Sequence, residues 1–283
     1  MIRVAAIADV HFSEDSRGRL REHWGRLHQS ADVLLIGGDL TTHGERDQAR
    51  VLAEELTVVR VPVVVVLGNH DYHSDDQDGV RDELERAGAV VLEGESATLN
   101  INGKTLGVAG AKGFGGGFAG ACGSAFGERE MKAFVRHTER IAARLHDELN
   151  GLRADYRVAL LHYSPVKETL SGERLEIYPF LGSYLLAEAI DEAGADLAIH
   201  GHAHQGHPAV VVDQLGVDVL ERTEHGEPGP RPGARDLLPD PEMAPVSQLP
   251  ARLGRVNRTH YLAPVLPAFR RTCSPWYRTP FPL

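Results

Sequence analysis

Two histidines at alternate positions, in Gly201-His202-Ala203-His204, directly follow the mostly apolar run 196–199. This run has the length and composition of a buried strand, so the histidines would lie where that strand ends. Alternate side chains of an extended chain point the same way, and both imidazoles could therefore face one ion or one pair of ions. The spacing predicts a metal site at the end of a strand.

Four further polar clusters each follow a short apolar run elsewhere in the chain. They are Asp9-Val10-His11, Gly38-Asp39, Gly68-Asn69-His70-Asp71 and His162. Each cluster alone has an ordinary explanation, because aspartate and glycine end many strands and a single histidine is more often a hydrogen-bonded core residue than a ligand. Their joint occurrence after five strand-like runs argues against coincidence. Since imidazole and carboxylate groups bind divalent metals, the clusters predict a metal centre at one edge of a sheet.

The elements that must position these residues alternate between strand and helix. The pattern of apolar residues predicts strands at 2–8, 32–36, 61–67, 156–161 and 196–199, and helices at 17–29, 45–59, 76–88, 128–150 and 179–193. A hairpin is predicted for 97–101 and 105–109, joined by the turn dipeptide Asn102-Gly103. Such alternation indicates an α/β fold with a parallel sheet covered by helices. Ligand sites in these folds lie beyond the carboxyl ends of the strands, which is where the clusters fall.

The C-terminal part of the chain has a different character. Residues 209–212 and 216–220 are predicted to form one more hairpin, but thirteen of the sixteen prolines lie at or after Pro208. Stretches rich in Pro and Gly without periodicity are typical of irregular or disordered segments. We therefore predict a folded domain over residues 1–222, which carries all five clusters, and a Pro- and Arg-rich tail over residues 223–283 that is irregular or disordered.

The composition excludes several classes of protein. The net charge of −10 argues against a nucleic-acid partner, because phosphate backbones favour basic surfaces, but bound cations would still allow a phosphorylated substrate. Cys122 and Cys273 are too few for a disulfide framework. The N-terminus lacks an apolar signal segment, and no apolar run reaches the length of a membrane span. We expect a cytoplasmic protein that does not associate with a membrane.

The order of the five clusters, D-x-H, G-D, G-N-H-D, H and G-H-x-H, resembles that of the calcineurin-like metallophosphoesterase superfamily over about residues 1–207. The resemblance implies a four-layer α/β/β/α sandwich with two divalent metal ions (Mn, Fe or Zn) between its sheets. By motif position, Asp9, His11 and His204 would hold the first metal, Asn69, His162 and His202 would hold the second, and Asp39 would bridge both. A hydroxide that bridges the two metals would then attack phosphorus.

The resemblance also implies roles in catalysis and substrate binding. His70 would act as a general acid or stabilise the transition state, while Asp39 would take part through the metals it bridges. His43 and Asn69 are expected to contact the substrate. Thr42 and His43 stand where the protein Ser/Thr phosphatases of the superfamily have Asp and Arg. This departure disfavours a protein phosphatase and favours a small-molecule or nucleotide branch.

Several neighbouring residues have roles that the sequence does not decide. Asp71 is expected to orient other residues or to cap the turn that follows it, and His200 to be buried. The glycine-rich run 113–118 is either a lid carrying two aromatic residues over the site or a mobile connector. Lys112 and Lys167 could contact phosphate, but the sequence ranks neither above an ordinary surface lysine.

The sequence thus predicts a hydrolase, a dinuclear metal phosphoesterase that acts on a small phosphorylated substrate. It would be a phosphomonoesterase or a phosphodiesterase, and the substrate could be a nucleotide or cyclic nucleotide. One alternative is a nuclease of the same superfamily, although such an enzyme needs a basic groove. Another is a non-catalytic metallophosphoesterase-like scaffold, although such proteins typically lack a motif residue and here all are present. The metal identity, the leaving group and the oligomeric state stay open.

Overall fold

In the computed structural model, the described residues are 2–206, 209–213, 247–248 and 258–262. They form two large stacked sheets with helices outside them and a separate two-stranded sheet. The strands are β1 Arg3–Ile7, β2 Val33–Gly37, β3 Val63–Val66, β4 Val90–Val91, β5 Glu95–Ile101, β6 Lys104–Ala111, β7 Gly117–Phe118, β8 Ala121–Cys122, β9 Tyr156–Leu161, β10 Leu197–Ile199, β11 Ala209–Asp213, β12 Ser247–Gln248 and β13 Arg258–Leu262.

The helices are α1 Arg21–Arg26, α2 Arg46–Leu56, α3 Gln77–Arg86, α4 Arg129–Gly151, α5 Tyr178–Leu181 and α6 Tyr184–Ala193. Short 3-10 turns at Glu14–Ser16, Leu27–Gln29, His70–Tyr72, Lys167–Leu170 and Leu175–Ile177 complete the described helical structure. Within the described ranges, no helix is both long and apolar enough to cross a membrane.

Most strands within each sheet run parallel, so their carboxyl ends meet at a common edge. The first sheet has the order β12-β1-β2-β3-β4, in which β1 to β4 are parallel and β12 is antiparallel to β1. The second has the order β11-β13-β10-β9-β6-β5, in which the four inner strands are parallel and the two edge strands antiparallel to their neighbours.

Alternation of side chains along the strands divides the core into three apolar layers. Leu34 and Ile36 of β2 pack under the first group of helices, against Trp24 and Leu52. Their neighbours on β2 face the second sheet, in a layer that includes Val33, Leu35, Val158, Leu160, Leu197 and Ile199. The outer face of the second sheet packs under α4 and α6 through Ala159, Leu161, Leu145 and Ile190. These layers confirm the predicted four-layer α/β/β/α sandwich.

The predicted helix over 179–193 is wrong as one element, because the chain breaks it into α5 and α6. Gly182 passes so close to Ser164 that a Cβ at this position would collide with the Ser164 carbonyl oxygen. Ser183 then caps α6 by accepting a hydrogen bond from the Leu185 amide at 3.3 Å. The predicted helix over 17–29 is likewise shorter, beginning at Arg21 and ending in a 3-10 turn.

The predicted hairpin is confirmed as β5 and β6. Asn102 and Gly103 have φ angles of 51° and 73°, which are the values that a type I′ turn requires at both central positions. Local turn chemistry therefore sets this register.

The C-terminal segment is described only in part. The described partner of β11 is β13, and β13 lies between β10 and β11 in the second sheet. Residues 216–220, predicted as the partner of β11, lie outside the described residues. So does the predicted boundary between residues 222 and 223, and the division into domain and tail stays a prediction.

Candidate metal centre

The carboxyl ends of β1, β2, β3, β9 and β10 bring the predicted ligands together between the two sheets. Two groups of side chains each place their metal-binding atoms within 4.8 Å of one another: Asp9, His11, Asp39 and His204 form the first, and Asp39, His162 and His202 form the second. Asn69 adjoins the second group, with its Oδ1 2.8 Å from His162 Nε2. All seven predicted ligands therefore lie in one place, and Asp39 belongs to both groups.

The first group contains two carboxylates. His204 Nε2 lies 3.4 Å from Asp9 Oδ1, and His11 Nε2 lies 3.7 Å from Asp39 Oδ2. Asp9, His11 and Asp39 are buried, and only His204 reaches solvent. Two buried carboxylates at one place need positive charge nearby.

The second group is built from histidines whose tautomers are set by backbone carbonyls. His162 donates Nδ1–H to the Gly37 carbonyl at 3.0 Å, which leaves the lone pair on Nε2, 3.2 Å from Asp39 Oδ1. His202 directs Nε2 to the Phe180 carbonyl at 3.3 Å, which leaves the lone pair on Nδ1. Such carbonyl partners orient histidine ligands in metal sites.

The protonation chemistry of the two groups fits divalent cations. Burial raises the pKa of Asp39 well above its ordinary value, and the charges of Asp9 and Asp71 act in the same direction. Burial also lowers the pKa of His11 to about 3 and that of His202 to about 4, so these imidazoles are neutral, the form that binds metal. The lone pairs of His162 Nε2 and Asn69 Oδ1 converge at 2.8 Å with no proton between them, and a cation at this place would satisfy both and favour the ionised form of Asp39.

The backbone at the ligands adopts an unusual conformation. Asp9, His11, Asp39 and His202 have φ angles of 55°, 42°, 48° and 71°, and only two other non-glycine residues among those described have positive φ. Left-handed conformations cost free energy for residues with a Cβ and tend to cluster at functional sites. The positive φ values let the chain turn the ligands inward directly after each strand.

Hydrogen bonds from the backbone hold these turns in place. The His202 amide donates to both oxygens of Asp9, at 3.0 and 3.1 Å. The His70 amide donates to Asp39 Oδ1 at 2.9 Å. Beyond the ends of β1 and β2 the pairing continues, because the Asp9 amide donates to the Gly38 carbonyl and the His11 amide to the Asp39 carbonyl. The carboxylates are therefore oriented before any cation binds.

Two glycines allow the ligands to approach the backbone closely. A Cβ at Gly38, where φ is +83°, would lie 2.7 Å from the His162 ring. A Cβ at Gly201 would lie 2.6 Å from Asp9 Oδ2. Any larger residue at either position would displace a ligand.

His70 lies beside the first group with one ring face open. Its Nδ1–H donates to the Thr42 carbonyl at 2.7 Å, so Nε2 points toward Asp39, 3.9 Å from its Oδ2. The His70 and His11 rings meet edge to face at 4.6 Å. The side chain is 34% exposed, more than His11, Asp39 and His204 of the first group, and it can therefore reach a bound substrate.

Asp71 and His200 act as supports, as expected from the sequence. Buried Asp71 accepts hydrogen bonds from the amides of Leu40, Thr41 and Gly68 and from the Thr41 hydroxyl, which ties the turn after β2 to the turn after β3. His200 is buried against Thr169.

His43 is exposed and lies outside both donor groups. Its amide donates to Gln48 Oε1 at 2.9 Å, and its ring lies 5.8 Å from that of His73. Its predicted contact with substrate stays a prediction, as does that of Asn69.

An aromatic wall lies beside the second group, and its Tyr163 and Phe134 are not among the site residues predicted from the sequence. The Tyr163 ring lies 4.4 Å from the His202 ring, and Phe114 packs between Tyr163 and Phe134. The glycine-rich run 113–118 contributes to this wall. The amides of Gly116 and Gly117 donate to carbonyls of residues 179 and 182, so the run is hydrogen-bonded to the segment around α5. The lid and the connector both stay predictions.

The sequence matches the family of calcineurin-like phosphoesterases over residues 2–206, and the chain belongs to that family. The family and fold predicted from the five clusters are therefore confirmed. The family implies divalent metal ions and phosphoester hydrolysis. None of the curated proteins with which the sequence was compared is significantly similar to it.

Among solved structures, the chain is similar to the phosphopantetheinyl hydrolase of Mycobacterium tuberculosis, with 15% identity and a TM-score of 0.53 over 71% of this chain and 83% of that one. It is also similar to the protein TT1561 of Thermus thermophilus, with 15% identity and a TM-score of 0.45 over 71% and 82% of the two chains. At 15% identity, the similarity to the phosphopantetheinyl hydrolase concerns the fold alone.

Proposed function

We propose that the protein is a dinuclear metal phosphoesterase that hydrolyses a small phosphorylated substrate. The observation that carries this proposal is the membership of Asp39 in both donor groups, because a shared carboxylate is how proteins hold two cations ~3.5–4 Å apart. Asp9, His11 and His204 would hold one cation with Asp39, and Asn69, His162 and His202 the other. The mixed imidazole and carboxylate donors suit Mn, Fe or Zn.

The bound metals would supply Lewis acidity and a nucleophile that exists at neutral pH. The remaining steps belong to the side chains. His70 is held by the Thr42 carbonyl through Nδ1, so a protonated ring presents Nε2–H to the space beside Asp39. From there it can donate the proton to the oxygen of the leaving group.

The substrate class follows from charge and from the loop after Asp39. A net charge of −10 disfavours a nuclease, whereas a small phosphate ester needs only the local positive charge of the metals. Thr42 and His43 replace the Asp and Arg of the protein phosphatases, so we favour a nucleotide, a cyclic nucleotide or another small ester. The cytoplasmic location stays a prediction.

Hydrolysis of two chromogenic esters tests the proposal. The purified protein is incubated with p-nitrophenyl phosphate or bis-p-nitrophenyl phosphate, with added Mn²⁺, Fe²⁺ or Zn²⁺ or with a chelator. We expect metal-dependent release of p-nitrophenol, and the preferred ester distinguishes a phosphomonoesterase from a phosphodiesterase. The absence of turnover with every metal would favour the non-catalytic scaffold and refute the proposal.

A further inference from the structure

Lys112 is the first residue after β6 and lies at the same edge of the second sheet as the histidine ligands. Its carbonyl accepts hydrogen bonds from the amides of His162, at 3.1 Å, and Tyr163, at 2.9 Å. The backbone of Lys112 is therefore fixed directly to a candidate metal ligand.

The ammonium of Lys112 is surrounded by three aromatic rings. Its Nζ lies 4.9 Å from the ring centroid of Tyr72, 5.1 Å from that of Phe114 and 5.2 Å from that of Tyr163. Cation–π contacts of this kind hold an ammonium in place without neutralising its charge. The Tyr163 ring also contacts the His202 ring at 4.4 Å, so a single side chain separates the ammonium from the second donor group.

No carboxylate in the described part of the chain lies within ion-pair distance of this ammonium. Glu93 and Asp39 are the acidic groups whose charge acts on it. Glu93 is already engaged, because it accepts hydrogen bonds from the Tyr72 hydroxyl at 2.8 Å and the Leu67 amide at 3.2 Å. Lys112 is only partly exposed, and a charge kept partly out of water without a close partner is costly.

Lys112 differs in these respects from two of the other three lysines of the chain, Lys104 and Lys167. Lys104 forms an ion pair with Asp155 at 3.1 Å, and Lys167 is exposed on a 3-10 turn. The chain uses 26 arginines and only 4 lysines. A compact ammonium fits among three rings, where the planar guanidinium of arginine would stack on one.

We propose that Lys112 is a substrate-binding residue, whose ammonium, fixed among three rings at the edge of the metal centre, contacts an anionic phosphate oxygen of the substrate. This inference rests on the proposed function. The oxygen belongs either to the phosphate that is hydrolysed or to a neighbouring phosphate of the same substrate.

Calorimetric titration of inorganic phosphate and pyrophosphate into the Mn²⁺-loaded protein tests this role. Lys112→Met keeps an apolar side chain among the rings and removes the charge. Since hydrogen bonds to charged groups contribute enough to change binding by roughly 10- to 100-fold, we expect a loss of that size. Weaker binding of both anions assigns the contact to the hydrolysed phosphate. Weaker binding of pyrophosphate alone assigns it to a neighbouring one.

Controls separate this role from a structural one. Lys167→Met, which removes an exposed charge, should change affinity by no more than about twofold. Metal content and melting temperature of Lys112→Met should match the wild type, and Lys112→Gln is a second variant should Lys112→Met fold poorly. If Lys112 only balances Glu93, Lys112→Met will lose stability but not phosphate affinity, and adding Glu93→Gln will restore that stability. This result, or a wild type that binds neither anion, overturns the inference.

A different result would refute the proposed function. A wild-type protein that binds phosphate through Lys112 but hydrolyses no ester would refute the phosphoesterase and leave the binding role intact.

Discussion

The two donor groups of the candidate metal centre share Asp39 but differ in charge and in the way their side chains are held. The first group adds a second carboxylate, Asp9, whose two oxygens accept hydrogen bonds from the His202 amide. The second adds only neutral ligands, with His162 oriented by the Gly37 carbonyl and His202 by the Phe180 carbonyl. A divalent cation therefore meets two negative charges in the first group and one shared charge in the second.

This difference suggests unequal tasks for the two groups. Coulomb attraction favours tighter binding at the first group, whereas the second group, whose only charge is the shared one of Asp39, adjoins the aromatic wall and Lys112. We infer that the first group anchors a metal and that the second completes the site on the side where substrate binds. Three of the four predictions below test this division, and the fourth concerns His70, which belongs to neither group.

Removal of the shared ligand should have the largest effect. In Asp39→Ala both donor groups lose a member, and the first keeps one carboxylate while the second keeps none. We expect loss of both metals, measured by elemental analysis, and loss of detectable hydrolysis. Retained activity in this variant would contradict the bridging role of Asp39.

A matched pair of substitutions should separate the two groups. Asp9→Asn removes the charge that is peculiar to the first group, and His162→Gln removes a neutral ligand of the second. We expect each variant to lose about one equivalent of metal, since the loss of a charge or of a donor atom weakens binding at that group. His162→Gln should retain the metal of the first group. If both variants lose both metals, the groups do not bind independently and the comparison fails.

His70 belongs to neither donor group, and its removal should spare both metals. His70→Gln deletes the proton donor at Nε2, and loss of a general acid slows turnover by roughly 10²- to 10⁴-fold. We expect this decrease in kcat with an unchanged metal content. A lower metal content would instead make His70 a ligand.

The sequence was most informative where local chemistry decides the structure. Asn102-Gly103 determines a type I′ turn by its own backbone preferences. Each ligand cluster comes immediately after an apolar strand in the sequence, so its place at a strand end could be predicted. Interactions between distant residues were invisible. Nothing near Lys112 in the sequence indicates that Tyr72 and Tyr163 flank it, and nothing in 179–193 predicts that Gly182 must pass against Ser164. The positive φ angles at Asp9 and Asp39 could not be predicted either, because aspartate tolerates positive φ but adopts it at only a minority of its positions.

Graded removal of metal should reveal the smallest difference, the one in affinity. In a partly buried site, an extra carboxylate strengthens the binding of a cation by several kcal/mol at most. We therefore expect the metal of the second group to be removed at a free chelator concentration about tenfold or more below that needed to remove the metal of the first group. Electron paramagnetic resonance of the Mn²⁺-loaded protein would follow the release, since a lone ion and a coupled pair give different spectra.

Asn69→Asp provides the matched control, because it gives the second group a carboxylate of its own and makes the two groups equal in charge. The two release steps should then merge into one. Simultaneous release from the wild type would show that the shared Asp39, rather than Asp9, dominates metal affinity in both groups.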